Sequence, residues 1–133
     1  MPLLDSPNFL RRVLIADAVV SGATGVMLAF GADLIASLTG LPVALLRYAG
    51  VSLLPFAAIV AAVAMRPSIS APAVWAIVIY NALWTIDSLV LLVSGVVAPN
   101  ALGYAFVIAQ ALAVGMLAEL QYFGLRRQTR RAV

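Results

Sequence analysis

Five side chains within the hydrophobic part of the sequence are of types that can carry a proton or bind a ligand: Asp17, Asn81, Trp84, Asp87 and Glu119. A charged group at the centre of a bilayer costs at least about 2.5 kcal/mol, so its presence indicates a partner or a function. We therefore predict an intramembrane ligand or proton site at these five residues. The alternative interpretation is a set of interhelical hydrogen bonds, worth about 0.6 kcal/mol each on average.

Helical spacing and depth suggest how these side chains meet. Asp17, Ser21 and Thr24 follow the spacing i, i+4, i+7, which places them on one face of a helix. With a rise of 1.5 Å per residue, Asp17 and Glu119 lie at similar depth near one membrane face. Because the first and last helices of an antiparallel bundle are commonly adjacent, we expect these two carboxyl groups to approach each other.

Arg47 and Asp87 share a level near the opposite membrane face. Arg47 lies roughly 6 Å into the second apolar segment, and Asp87 lies roughly 21 Å along the third. A buried charge without a partner is strongly destabilising. We therefore predict an ion pair between Arg47 and Asp87.

Several kinds of chemistry are excluded by composition. The chain has no His and no Cys, and its eight basic residues are all arginine. The common zinc and haem ligands, a thiol nucleophile and a Schiff-base amine are therefore absent. We expect no metal site, no cofactor and no enzymatic activity.

The elements that position these side chains follow from hydrophobicity. The chain of 133 residues is 65% hydrophobic and 10% charged, whereas soluble domains carry about 25% charged residues. Its mean hydropathy is +1.12. Because its apolar runs are continuous and about 20 residues long, they predict membrane-spanning helices rather than strands. We predict a single all-α domain, an integral membrane four-helix bundle, with spans at residues 9–30, 43–65, 72–97 and 101–125.

The link between the first two spans has helix signals of its own. Asp33 fits an N-cap, Gly40 fits a C-terminal cap, and Pro42 would stop a helix. We predict a short helix lying in the membrane interface, with a simple loop as the alternative.

Membrane orientation follows from the arginines. Arg47 lies towards one side of the predicted bundle, and seven other arginines lie towards the opposite side. These seven are Arg11, Arg12, Arg66, Arg126, Arg127, Arg130 and Arg131. The positive-inside rule then places both termini and a basic tail, residues 126–133, in the cytoplasm. Because the arginines flank apolar segments instead of forming a patch on a soluble surface, nucleic acid is not an expected partner.

One segment resembles a known family. Residues 33–42, DLIASLTGLP, are followed by Leu45-Leu46-Arg47 and a helix rich in small residues. Over about residues 25–65 this pattern is similar to the DoxX-like small bacterial four-helix membrane proteins, some of which are linked to membrane oxidoreductase complexes. The resemblance implies a four-helix bundle in the bacterial inner membrane with an accessory role, and it transfers no catalytic residue.

Two functional hypotheses follow. The first is a non-enzymatic accessory or binding module with an intramembrane polar cluster. Its expected partners are membrane lipids and either a second copy of the chain or another membrane protein. The alternative is a small proton-coupled transporter of lipophilic or cationic substrates that uses intramembrane carboxylates.

Overall fold

The protein is a bundle of four long helices. The computed structural model describes residues 8–132, and all regular secondary structure within this range is helical. The helices are α1 (Phe9–Thr39), α2 (Val43–Met65), α3 (Ala71–Ser94) and α4 (Ala101–Ala132). All four are long and apolar enough to cross a membrane. The predicted all-α membrane bundle is therefore confirmed.

The first helix is longer than the sequence predicted. Residues 33–39 lie within α1, so a separate interfacial helix is not supported. Gly31 has non-helical backbone angles (φ −106°, ψ 17°), and these angles form a kink between two helical segments of α1, which glycine tolerates. Gly40 ends the helix in the left-handed conformation (φ +75°), and its N–H donates to the Ala36 carbonyl.

The helices pack as two hairpins. Helix α1 packs extensively against α2, and α3 packs against α4. The hairpins are joined mainly by contacts between α1 and α4, whereas the backbones of α2 and α3 come close at few points and are bridged by the stacked rings of Phe56 and Tyr80. Helices α1 and α2 approach closely at Gly25 and Gly50, where a Cβ on Gly50 would lie 2.8 Å from the Gly25 carbonyl oxygen. Only glycine fits at position 50 without a shift of the backbone.

One end of the bundle is held by an arginine. The Arg11 guanidinium donates to the Ala64 carbonyl, to the Arg66 carbonyl at 2.7 Å and to the Pro67 carbonyl at 3.2 Å. The last carbonyls of a helix have no partner within the helix and carry its negative dipole end. Arg11 therefore ties the first turn of α1 to the end of α2.

Asn100 joins two helices at the opposite end. Its backbone N–H donates to the Thr39 carbonyl at 2.9 Å, and its side-chain amide donates to the Leu38 carbonyl at 2.9 Å. Its side-chain oxygen accepts from the Gly103 N–H at 2.9 Å, which caps the start of α4. Asn100 thus provides hydrogen-bond partners for the last carbonyls of α1 and for an N–H group in the first turn of α4.

Candidate functional site

A closed network of hydrogen bonds lies inside the bundle, and three helices contribute to it. Asp17 Oδ2 accepts from Asn81 Nδ2 at 2.9 Å and from Gln121 Nε2 at 2.6 Å. Asn81 Nδ2 also donates to Gln121 Oε1 at 3.0 Å. The other carboxylate oxygen of Asp17 accepts from the Ser21 hydroxyl at 2.8 Å. We call Asp17, Ser21, Asn81 and Gln121 the polar cluster.

The side chains of the polar cluster are buried within the bundle. Asp17, Asn81 and Gln121 are at most 2% exposed, and Ser21 is 8% exposed. Ser21, Asn81 and Gln121 each donate a hydrogen bond to the Asp17 carboxyl group. Throughout the described residues, no buried side-chain nitrogen or oxygen lacks a hydrogen-bond partner. The cluster therefore holds α1, α3 and α4 together at one level.

Beside the polar cluster lies a cavity of about 540 Å³. All four helices contribute to its wall, which is mostly apolar. It occupies the half of the bundle nearer Asn100, since its lining comes from residues 84–91 at the end of α3 and 106–114 at the start of α4. Ser21 lines this cavity and also belongs to the polar cluster. The two features therefore share one side chain.

A second set of hydrogen bonds lies in the cavity wall. Trp84 Nε1 donates to Gln110 Oε1 at 2.8 Å, and Gln110 Nε2 donates to the Ser88 hydroxyl at 2.9 Å. The Trp84 ring also continues an aromatic stack, with Phe56 and Tyr80 4.1 Å apart and Tyr80 and Trp84 6.1 Å apart between ring centroids. The indole is thus fixed in position along the cavity wall.

Of the five predicted site residues, the structure brings Asp17 and Asn81 into direct contact. Trp84 and Asp87 lie next to the cavity. Glu119 is exposed on α4, outside both the polar cluster and the cavity lining, so the expected approach of Asp17 and Glu119 was wrong. The depths of the two acids match, but the Glu119 side chain lies on the outer side of its helix.

The expected ion pair between Arg47 and Asp87 was also wrong. Arg47 instead pairs with Asp33 Oδ2 at 3.3 Å, and the Arg47 side chain is about half exposed whereas that of Asp33 is largely exposed. Asp87 is instead an exposed residue at the cavity.

Sequence reasoning missed Gln121, which is fully buried. Its signal was its position on the apolar stripe of α4, because Ala111, Ala118 and Leu125 are buried on the same side of that helix. A glutamine within such a stripe needs a hydrogen-bond partner inside the protein. Glu119 was predicted instead because it is charged, but it lies outside this buried stripe.

No metal site is evident in the described part of the chain, because no three His, Cys, Asp or Glu side chains come together there. No protein-family model, curated protein or solved structure matches this sequence.

Proposed function

We propose that this chain is a small multi-spanning membrane protein that binds a lipophilic molecule in the cavity between its helices, as a non-enzymatic binding module. The observation that carries this proposal is the cavity itself. Its volume of about 540 Å³ falls within the range of about 300–1,000 Å³ that is typical of small-molecule sites. Apolar walls with a few fixed polar groups are also typical of such sites.

Access to the cavity is supported by the helix packing. The walls on one side come from α2 and α3, whose backbones come close at few points. Tyr48, which is 76% exposed, and the exposed Asp87 lie at this boundary. A molecule dissolved in the bilayer therefore enters sideways, between α2 and α3, without crossing the aqueous phase.

The membrane setting is part of the proposal. In the antiparallel bundle, Arg11, Arg12, Arg66 and Arg126 lie at one end and Arg47 lies at the other. The positive-inside rule favours a cytoplasmic location for the first end, and hence for both termini. Together with the DoxX-like pattern of residues 33–42, this supports an accessory protein of the bacterial inner membrane.

The test is saturable binding of a neutral lipophilic probe. The chain has two tryptophans, so Trp75→Phe leaves Trp84 as the reporter of the cavity. In lipid nanodiscs, 1-bromooctane should quench Trp84 fluorescence with a saturable component. Ala49→Phe fills the cavity, because Ala49 lines it, and should remove that component.

The matched control is Ala58→Phe, which adds the same ring to an exposed position of α2 that does not line the cavity. This variant should keep the saturable quenching. Quenching that rises linearly with probe concentration in every variant would show contact with bulk lipid alone, and the proposal would then be wrong.

Proton-coupled transport is a second candidate function, and the position of Ser21 favours it. The Ser21 hydroxyl lines the cavity and donates a hydrogen bond to Asp17. A ligand that contacts Ser21 can therefore change the hydrogen bonding of the buried carboxylate. In proteoliposomes, an imposed pH gradient should drive ethidium accumulation that Asp17→Asn abolishes and Glu119→Gln preserves. Accumulation that does not depend on Asp17 would contradict this mechanism.

A further inference from the structure

We infer that the cavity binds a lipophilic monocation whose positive charge lies against the Asp87 carboxylate. This inference rests on the proposed binding function and names the chemical class of the ligand. Its apolar part would fill the space between the helices, and its charge would remain near the boundary of α2 and α3.

The charge on the cavity wall is negative. Asp87 is the single charged side chain among the residues that line the cavity. No arginine lines it, and Arg47, which lies at the same end of the bundle, is paired with Asp33. Asp87 lies seven residues before the end of α3 at Ser94, which is roughly 10 Å along the helix. A carboxylate at that depth in an apolar wall favours a ligand that brings a positive charge.

An aromatic surface lies next to this charge. Trp84 precedes Asp87 by almost one turn of α3, and both line the cavity. Its hydrogen bond to Gln110 and its contact with Tyr80 hold the indole in place. An organic cation over a tryptophan face gains cation–π attraction. A carboxylate and a fixed indole together therefore select a cation over a neutral molecule of the same shape.

The same residues argue against a membrane phospholipid as the occupant. A phosphate group needs a cationic or strongly donating partner, and the cavity lining contains no arginine or lysine. A phosphate close to Asp87 would also be repelled by the carboxylate. The ligand that fits is thus a free organic cation that carries no anionic group.

The test compares two probes of the same shape in nanodiscs of phosphatidylcholine, with Trp84 as reporter in the Trp75→Phe background. Tetraphenylphosphonium carries the charge, and tetraphenylsilane is its neutral isostere. We expect Asp87→Asn to weaken tetraphenylphosphonium binding about tenfold and to leave tetraphenylsilane binding within about twofold. Asp87→Glu, which keeps the charge, should retain most of the affinity for the cation.

Glu119→Gln is the matched control, since it removes an exposed carboxylate that does not line the cavity. It should leave both affinities unchanged. Equal loss in Asp87→Asn and Glu119→Gln, or no loss in either, would overturn the assignment of a cation to Asp87. If tetraphenylsilane still binds in that case, the binding function stands and the cation inference alone fails. If neither probe binds, both are wrong.

Discussion

Ser21 donates its hydroxyl hydrogen to Asp17 Oδ1 at 2.8 Å, from one turn further along the same helix. The same serine lines the cavity. The side chain of Ser21 thus lies between the buried carboxylate of Asp17 and the space available to a ligand. This relationship connects the two features on which the functional proposals rest.

The polar cluster should respond differently to loss of charge and to loss of a donor. In Asp17→Asn, the new amide can donate to Ser21, which also accepts hydrogen bonds, so we expect a cost of about 1 kcal/mol. Asn81→Leu removes a donor and leaves a buried carboxylate poorly satisfied, which should cost about 3 kcal/mol. Thermal and denaturant unfolding in detergent measure both values.

The double variant Asp17→Leu/Asn81→Leu checks the same network. Because it removes the carboxylate together with its donor, its cost should be clearly smaller than the sum of the two single Leu variants. Additive costs would show that the hydrogen bond between Asp17 and Asn81 does not contribute to stability.

The crossing of α1 and α2 should not tolerate a side chain at position 50. Gly50→Ala places a methyl group against the backbone of α1 at Gly25 and Ala29, and we expect a loss of about 2 kcal/mol or more in unfolding free energy. Gly22→Ala is the matched change in the same helix pair, because its Cβ would lie at an ordinary 3.7 Å from Ala57 Cβ. It should be neutral or stabilising by up to about 1 kcal/mol. Equal effects of the two changes would contradict the close approach.

Arg11 should contribute more to the unfolding free energy than Arg12 does. Arg11→Gln removes charged donors from the end of α2 and should lower the unfolding free energy by about 1–2 kcal/mol. Arg12→Gln removes the same charge from an exposed side chain and should change the unfolding free energy by less than about 0.5 kcal/mol. Denaturant titration of the two variants side by side separates capping from net charge, and a larger effect at Arg12 would refute the capping role.

Orientation can be measured with single cysteines, since the chain contains none. Ser68 and Val96 are exposed in loops at opposite ends of the bundle. In intact cells, Val96→Cys should react with a membrane-impermeant maleimide, and Ser68→Cys should react only after lysis. The reverse pattern would place the arginine-rich end outside the cytoplasm.

The sequence predicted four membrane-spanning helices because a continuous apolar run of about 20 residues can cross a bilayer only as a helix. It also singled out Asp17 and Asn81, which the structure joins by a hydrogen bond. The sequence did not predict that Asp17 and Asn81 contact each other. Depth along a helix follows from residue number, but the side of a helix that faces its neighbour depends on the rotation of the helix about its own axis. Glu119 has the depth of Asp17 but lies two residues, or about 200°, around α4 from the buried Gln121.

The pairing of Arg47 failed for another reason. Residue numbers place Arg47 and Asp87 at one level, but they contain no information on which helices are in contact. The structure packs α2 against α1, so Arg47 meets Asp33 on the extended part of α1. The cavity could not be predicted either, because its lining comes from all four helices and depends on how they pack together.

The arrangement of the polar cluster also affects how the helices assemble after they are inserted into the membrane. During synthesis α1 enters the membrane before α3 and α4, so Asp17 is inserted before Asn81 and Gln121 exist. Of its hydrogen-bond partners, Ser21 alone is carried on the same helix and is present from the start. When the second hairpin arrives, its two amides can reach the carboxylate in one alignment, and a slip of one turn, about 5.4 Å, would break both hydrogen bonds. A single aspartate thus selects the register in which two separately inserted halves dock.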